Sequence, residues 1–205
     1  MFVAFALAAA FANLVLVYHT MTLKGFNMNA WENEPNEDAF EASGLSCIMK
    51  RDHNLVWTGH VGVPPSHALF RQRRDVLVEV PSDAVGLPVD VKRVCMADVH
   101  GIVPPAIKAG NLPLSVLVAV HGGLWSTGVR AENPELWFFG FQCGHAGDYR
   151  PADPSNQQAR QNAATTERPY TPDNYRTYDY ARKECEGLAA QLAALDGAKL
   201  AQGSA

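Results

Sequence analysis

The sequence predicts an α+β fold: a mostly antiparallel sheet with one long C-terminal helix packed across it. Three observations carry this. Leu45 to Lys50 and Leu55 to Val63 are strand-prone runs separated by the turn residues Asp52-His53-Asn54, the pattern of a hairpin. Leu114 to His121 and Leu136 to Cys143 are apolar, β-branched or aromatic runs of strand length, as expected of buried strands. After Thr171-Pro172, a cap and first-turn pair, Tyr175, Tyr178, Ala181, Cys185, Leu188, Ala189, Leu192 and Leu195 recur every three or four residues, which is an amphipathic helix.

The remaining elements follow in order. Residues 1-28 form an apolar N-terminal segment with a single charged side chain, Lys24. A start codon assigned too early is the favoured reading, because Met21 and Met28 offer later starts and the chain turns polar and acidic at Asn29; a membrane anchor and a signal peptide are the alternatives. Residues 29-196 are expected to be one domain, and 197-205 a flexible tail. Asn33 to Asp38 reads as a loop leading into a short helix near Ala39 to Ala42 that Gly44 ends. Pro64-Pro65 stops the second hairpin strand. Residues 71-112 look like an insertion, cut into pieces by Pro and Gly but holding one alternating run, Val76 to Val80. The Leu114 and Leu136 strands are expected to pair antiparallel, and Ala146 to Thr171 to form a surface loop.

Composition narrows the function. Hydrophobic residues make up 47% and charged residues 19% of the 205, a globular balance. Seventeen Lys and Arg against 21 Asp and Glu give a net charge of -4, which argues against broad nucleic-acid binding. The four cysteines, Cys47, Cys95, Cys143 and Cys185, form no CxxC pair, so neither the common zinc-finger spacings nor a thioredoxin-type dithiol is present.

Chemically able residues gather at two strand ends, His121-Gly122-Gly123 and Cys143-Gly144-His145-Ala146-Gly147-Asp148. On an extended backbone Cys143 and His145 face the same side, so the thiol could be activated by the imidazole, with Asp148 orienting it. The same atoms, with His121, could instead hold a divalent metal such as zinc. Gly122 and Gly123 could offer backbone N–H groups to an anion, with Ser126 beside them, and Trp125 and Tyr149 could stack on a flat ligand. Buried free Cys, structural His and core aromatics are the plainer readings of these residues. The hairpin adds His60, and His67 comes after it; the helix tyrosines read as packing residues, and Asp98 with His100 forms a further acid/base pair or a solvated turn.

Taken together, Trp31-Glu32-Asn33-Glu34-Pro35, Gly59-His60-Val61-Gly62-Val63-Pro64, Val120-His121-Gly122-Gly123-Leu124, Phe139 to Asp148 and Tyr175 to Leu192 resemble a family of small hypothetical proteins of tailed phages and prophages. The resemblance spans Trp31 to Leu195 apart from the insertion. It implies an acidic residue where Gln142 stands and a tyrosine where His60 stands, which weakens a catalytic role for either. It also implies a phage accessory protein in the host cytoplasm, and the gathering of His, Cys, Asp and Gly at the strand ends points to a small-molecule pocket. The expected activity is that of a hydrolase-like enzyme acting on a nucleotide-type or host-defence signal molecule. The alternative is a non-enzymatic protein that sequesters a small ligand or blocks a host protein. Membrane contact is expected only if residues 1-23 are translated and retained.

Overall fold

A computed structural model describes residues 30–88, 107–145, 147–155 and 174–201. The apolar N-terminal segment, the Asp98 and His100 pair and Thr171-Pro172 lie outside them. Met1–Asn33 forms a unit separate from Glu34–Ala205; its described part is the short helix α1 (Ala30–Asn33).

The second unit has the expected α+β architecture. Strands β1 (Glu37–Ala42), β2 (Leu45–Arg51) and β3 (Trp57–Val63) form an antiparallel meander. Strands β4 (Leu77–Glu79) and β5 (Asn111–Pro113) make a separate two-stranded ladder inside the insertion. A one-turn helix, α2 (Leu114–Leu117), follows, then the hairpin β6 (Ser126–Arg130) and β7 (Asn133–Gln142). The main sheet runs β1-β2-β3-β7-β6, antiparallel throughout. The long helix α3 (Tyr178–Ala194) closes the fold.

Three expectations are corrected. Ala39 to Ala42 is not a helix but belongs to β1. Its loop, Ser43-Gly44, has φ of +50° and +76°, the two left-handed residues of a tight hairpin turn, so Gly44 serves a turn and not a helix end. Leu114 to His121 is not a central strand: its first four residues are α2 and the rest runs irregularly to His121, so β7 pairs with β3 and β6 instead. Helix α3 starts at Tyr178 with Thr177 as its cap, the Thr177 hydroxyl accepting from the Tyr180 N–H at 3.3 Å; Tyr175 lies before it.

The register separates the two faces of the sheet. Cys47, Val61 and Phe139 are aligned, as are Met49, Gly59 and Phe141, and these residues are buried beneath Ala181, Cys185, Leu188 and Leu192 of α3. A Cβ on Gly59 would collide with the Phe141 ring, so the glycine makes room for it. On the opposite face His60 lies across Gly140 beside the Ser126 hydroxyl. The end of the β6–β7 hairpin folds back over this face, since Glu132 reaches Lys50 at 2.6 Å although Lys50 is aligned with Gln142 at the far end of β7.

Glu34 anchors the helix to the sheet. Its Oε2 accepts from Trp57 Nε1 at 2.9 Å and from the Tyr175 hydroxyl at 2.6 Å, and its Oε1 accepts from the Tyr178 backbone N–H at 2.8 Å. A carboxylate on the first N–H of a helix satisfies an otherwise orphaned donor and favours the helix dipole. At the other end His67, 4% exposed, accepts from the Leu69 N–H and donates to the Leu192 carbonyl at 3.0 Å. His67 is therefore a structural clamp.

Candidate functional site

Among the described residues the irregular chain after α2 has no strand partner, and α3 supplies one with side chains. Gln191 Oε1 accepts from the Ala119 N–H at 2.8 Å and its Nε2 donates to the Ala119 carbonyl at 2.9 Å. Glu184 Oε2 accepts from the His121 N–H at 2.8 Å. The amide of Gln191 thus imitates one rung of a ladder. A turn follows, with the Gly123 N–H donating to the Val120 carbonyl at 2.9 Å and Gly122 at φ +65°, the left-handed second position of a type II turn. This turn aims the His121 ring at α3.

His121 is held at both ring nitrogens. Its Nδ1 is 2.9 Å from the Tyr180 hydroxyl and its Nε2 is 2.7 Å from Asp148 Oδ2. Asp148 is 2% exposed and carries two further donors: the His145 N–H at 2.9 Å on Oδ2 and Arg176 Nε at 2.8 Å on Oδ1. Burial opposes the charge on Asp148, but the hydrogen bonds and positive charges of His121 and Arg176 outweigh it and hold the carboxyl below the usual range. Beside an ionised Asp148, the tautomer of His121 that completes both bonds carries its proton on Nε2 and accepts from the Tyr180 O–H at Nδ1. Tyr180, His121 and Asp148 then form one directed chain of hydroxyl, imidazole and carboxylate.

His145 packs against the same turn, its ring centroid 5.7 Å from that of His121 and 6.5 Å from that of Trp125. Its side chain donates to the Gln142 carbonyl, while Nε2 is buried and has no partner among the described residues. Burial, then the proximity of His121, lowers its pKa, so the neutral form with a bare Nε2 lone pair is favoured. Gly122 covers that nitrogen so closely that a Cβ there would overlap it.

The two segments converge although the first is not a strand: His121, His145 and Asp148 share one site, with Gly122 packed against the His145 ring. Other expected residues stand elsewhere or in other roles. Cys143 is 2% exposed, and burial, then the neighbouring Asp148 and Glu184 carboxylates, push its thiol far up, so a thiolate nucleophile is disfavoured there. Tyr149 is 3% exposed and has no face for stacking, whereas Trp125 is 54% exposed. Trp125 is anchored by its backbone, its N–H donating to the Gly140 carbonyl at 2.7 Å, while Arg74 donates to the preceding Leu124 carbonyl at 3.0 Å. Ser126 points its hydroxyl at Gly140 and His60, on the sheet face opposite α3. The Gly123 N–H is used within its turn and is not an anion contact.

The metal set of His121, Cys143, His145 and Asp148 also meets a geometric objection. Both His121 nitrogens are engaged and the Cys143 thiol is buried, and among the described residues no three His, Cys, Asp or Glu side chains are grouped to hold an ion. No helix among the described residues is long and apolar enough to cross a membrane. A surface groove of about 660 Å³ lies elsewhere, between Glu79, Val80, Gly110, Asn111, Lys199 and Leu200, and includes none of the residues above.

Sequence patterning pointed away from Tyr180, Glu184 and Arg176. The helical spacing reads Tyr180 as a packing residue and places Arg176 inside the helix. A signal was present: Tyr180, Glu184 and Gln191 recur at spacings of four and seven, a polar stripe along an otherwise apolar helix. The chain matches no protein-family model, and no curated protein or solved structure is significantly similar to it.

Proposed function

We propose that this protein is a hydrolase-like enzyme in which Tyr180, His121 and Asp148 act as a proton relay. The observation that carries the reading is the alignment of Tyr180 and Asp148 on opposite nitrogens of His121, at 2.9 and 2.7 Å. A phenol is a weak nucleophile at neutral pH, and an adjacent imidazole oriented by a buried carboxylate supplies the missing base. In the proposed reaction the Tyr180 oxygen attacks an electrophilic carbon or phosphorus while its proton passes to His121 Nδ1. The bond to the leaving group breaks, and the imidazolium returns that proton to it. Water then attacks the tyrosyl ester, His121 takes a proton from the water, and Tyr180 leaves and is reprotonated. Asp148 holds the ring and stabilises its charge; Arg176 and the His145 N–H hold Asp148.

Trp125 favours a second reading, a non-catalytic binder of a flat small molecule, because an exposed indole on a rigidly bonded loop stands next to His145. The phage-borne proteins that the chain resembles suggest, for either reading, an accessory role in the host cytoplasm on a nucleotide-type or defence-signal molecule. A panel of p-nitrophenyl acetate, p-nitrophenyl phosphate and the p-nitrophenyl ester of thymidine 5′-monophosphate tests the relay. Release of p-nitrophenol should fall at least 100-fold in both Tyr180→Phe and His121→Asn. Turnover that survives Tyr180→Phe would rule out the tyrosine as nucleophile. Ligand-induced quenching of Trp125 fluorescence without turnover would favour the binder.

A further inference from the structure

We infer that Arg176 forms the oxyanion anchor of this site and that the group it takes is a phosphoryl group, so that the relay acts on phosphate esters. The inference rests on the relay proposed above and adds its substrate class. Arg176 spends only Nε on the protein, in the 2.8 Å bond to Asp148 Oδ1. Among the described residues its two terminal nitrogens make no hydrogen bond or ion pair. The side chain is 35% exposed while its Asp148 partner is 3% exposed, so one edge of the guanidinium is fixed in the interior and the other faces solvent. Its central carbon stands 4.9 Å from the centroid of the Tyr180 ring, so the guanidinium lies against the ring that carries the reactive hydroxyl.

The planar fork of two terminal nitrogens matches two oxygens of a phosphoryl group, and a guanidinium already aligned by a carboxylate loses little freedom on binding. Asp148 meets Arg176 through Oδ1, while its Oδ2 takes the His121 ring and the His145 N–H, so the carboxylate engages one edge of the guanidinium and not its terminal fork. When His121 is protonated in mid-reaction a second cation faces the anion, so the site would hold the transition state more tightly than the ground state.

The probe is inorganic phosphate, titrated calorimetrically against chloride at constant ionic strength. Phosphate is expected to bind with a millimolar Kd, at least tenfold more tightly than chloride. Arg176→Lys keeps a positive charge beside Asp148 but loses the fork, and should weaken phosphate at least tenfold. Tyr180→Phe should bind phosphate within twofold of the parent, so the anchor can be judged even if the relay fails, and the relay even if the anchor fails. Should Arg176→Lys not fold, phenylglyoxal modification of the parent protein mapped by mass spectrometry decides: phosphate should slow labelling of Arg176 several-fold and leave Arg71 unaffected. Equal binding by phosphate and chloride, undiminished binding by Arg176→Lys, or unprotected labelling of Arg176 would overturn the inference.

Discussion

Replacing Glu34 by glutamine removes a charge while keeping the shape of the side chain, and its cost can be worked bond by bond. The carboxylate accepts from Trp57 Nε1, the Tyr175 hydroxyl and the Tyr178 N–H, at 2.9, 2.6 and 2.8 Å. In glutamine one oxygen becomes an NH₂ group. If that group stands at Oε1 it faces the Tyr178 N–H; if it stands at Oε2 it faces the indole N–H, since only the Tyr175 hydroxyl can turn to accept. Either way one donor in a half-buried or buried setting is orphaned, at about 1–3 kcal/mol. The two surviving bonds lose their charge assistance, roughly 0.5 kcal/mol or more each. The helix also loses a negative charge at its N-terminus, about 0.3–1 kcal/mol. The expected total is about 3 kcal/mol, and about 4–5 kcal/mol for Glu34→Ala. In urea, with a slope of roughly 2 kcal/mol/M for a chain of this size, Glu34→Gln should lower the midpoint by about 1.5 M. Tryptophan fluorescence and far-ultraviolet circular dichroism should report coincident transitions. A loss below 1 kcal/mol would refute the assignment of Glu34 as the tie between helix and sheet.

Three further outcomes are expected. Gly122→Ala puts a Cβ onto His145 Nε2 at a left-handed backbone position, so it should displace that ring, cost about 3 kcal/mol or more in thermal or urea unfolding, and abolish any relay activity; a variant with parental stability would contradict the packing. His60 is pushed down to about 4, chiefly by burial, with Arg130 next. Its folded pKa lies below the unfolded value of about 6.5, so the unfolded state binds the proton first and stability falls as pH drops from 6.5 towards 4, by about 3 kcal/mol in all. His145 adds to the same slope, and Asp148, which is held ionised, contributes stability lost only at lower pH still; His60→Phe should flatten the 6.5 to 4 window, as read by urea unfolding across pH. Cys143→Ala should leave turnover of the p-nitrophenyl esters within about threefold of the parent, and native Cys143 should resist iodoacetamide; a collapse of activity would restore the thiol as nucleophile.

The sheet and the site were legible in the sequence to different degrees. The β2–β3 hairpin and β7 stand close to where the alternating and aromatic runs place them, because those residues pair locally or lie deep in the core. Leu114 to His121 misled because an apolar run of eight satisfies a strand and an irregular buried segment equally, and what decides is its partner. That partner is Gln191 and Glu184, more than sixty residues away in the chain. Ala39 to Ala42 misled because its residues favour a helix alone, whereas pairing with β2 and the Ser43-Gly44 turn favour a strand. At the site, His121, His145 and Asp148 were visible as reactive residues next to glycines. Tyr180 and Arg176 were not, since a tyrosine at helical spacing looks like packing until a histidine is placed against it. Trp31-Glu32-Asn33-Glu34-Pro35 drew notice as a motif, and its Glu34 proves to anchor α3.

The Glu34 tie has a consequence for the order of events during synthesis. Its partners Tyr175 and Tyr178 lie 141 and 144 residues downstream. At about 5–20 residues per second a ribosome needs roughly 7–30 seconds to deliver them. For that interval β1 to β3 exist without the helix that covers Cys47, Met49 and Val61, and Tyr180 is missing from His121. The nascent chain therefore carries an uncovered apolar sheet face and an unfinished relay until its last helix emerges. Chaperone demand and the onset of activity should both be timed by the emergence of α3 from the ribosome, whatever the speed at which the hairpins form.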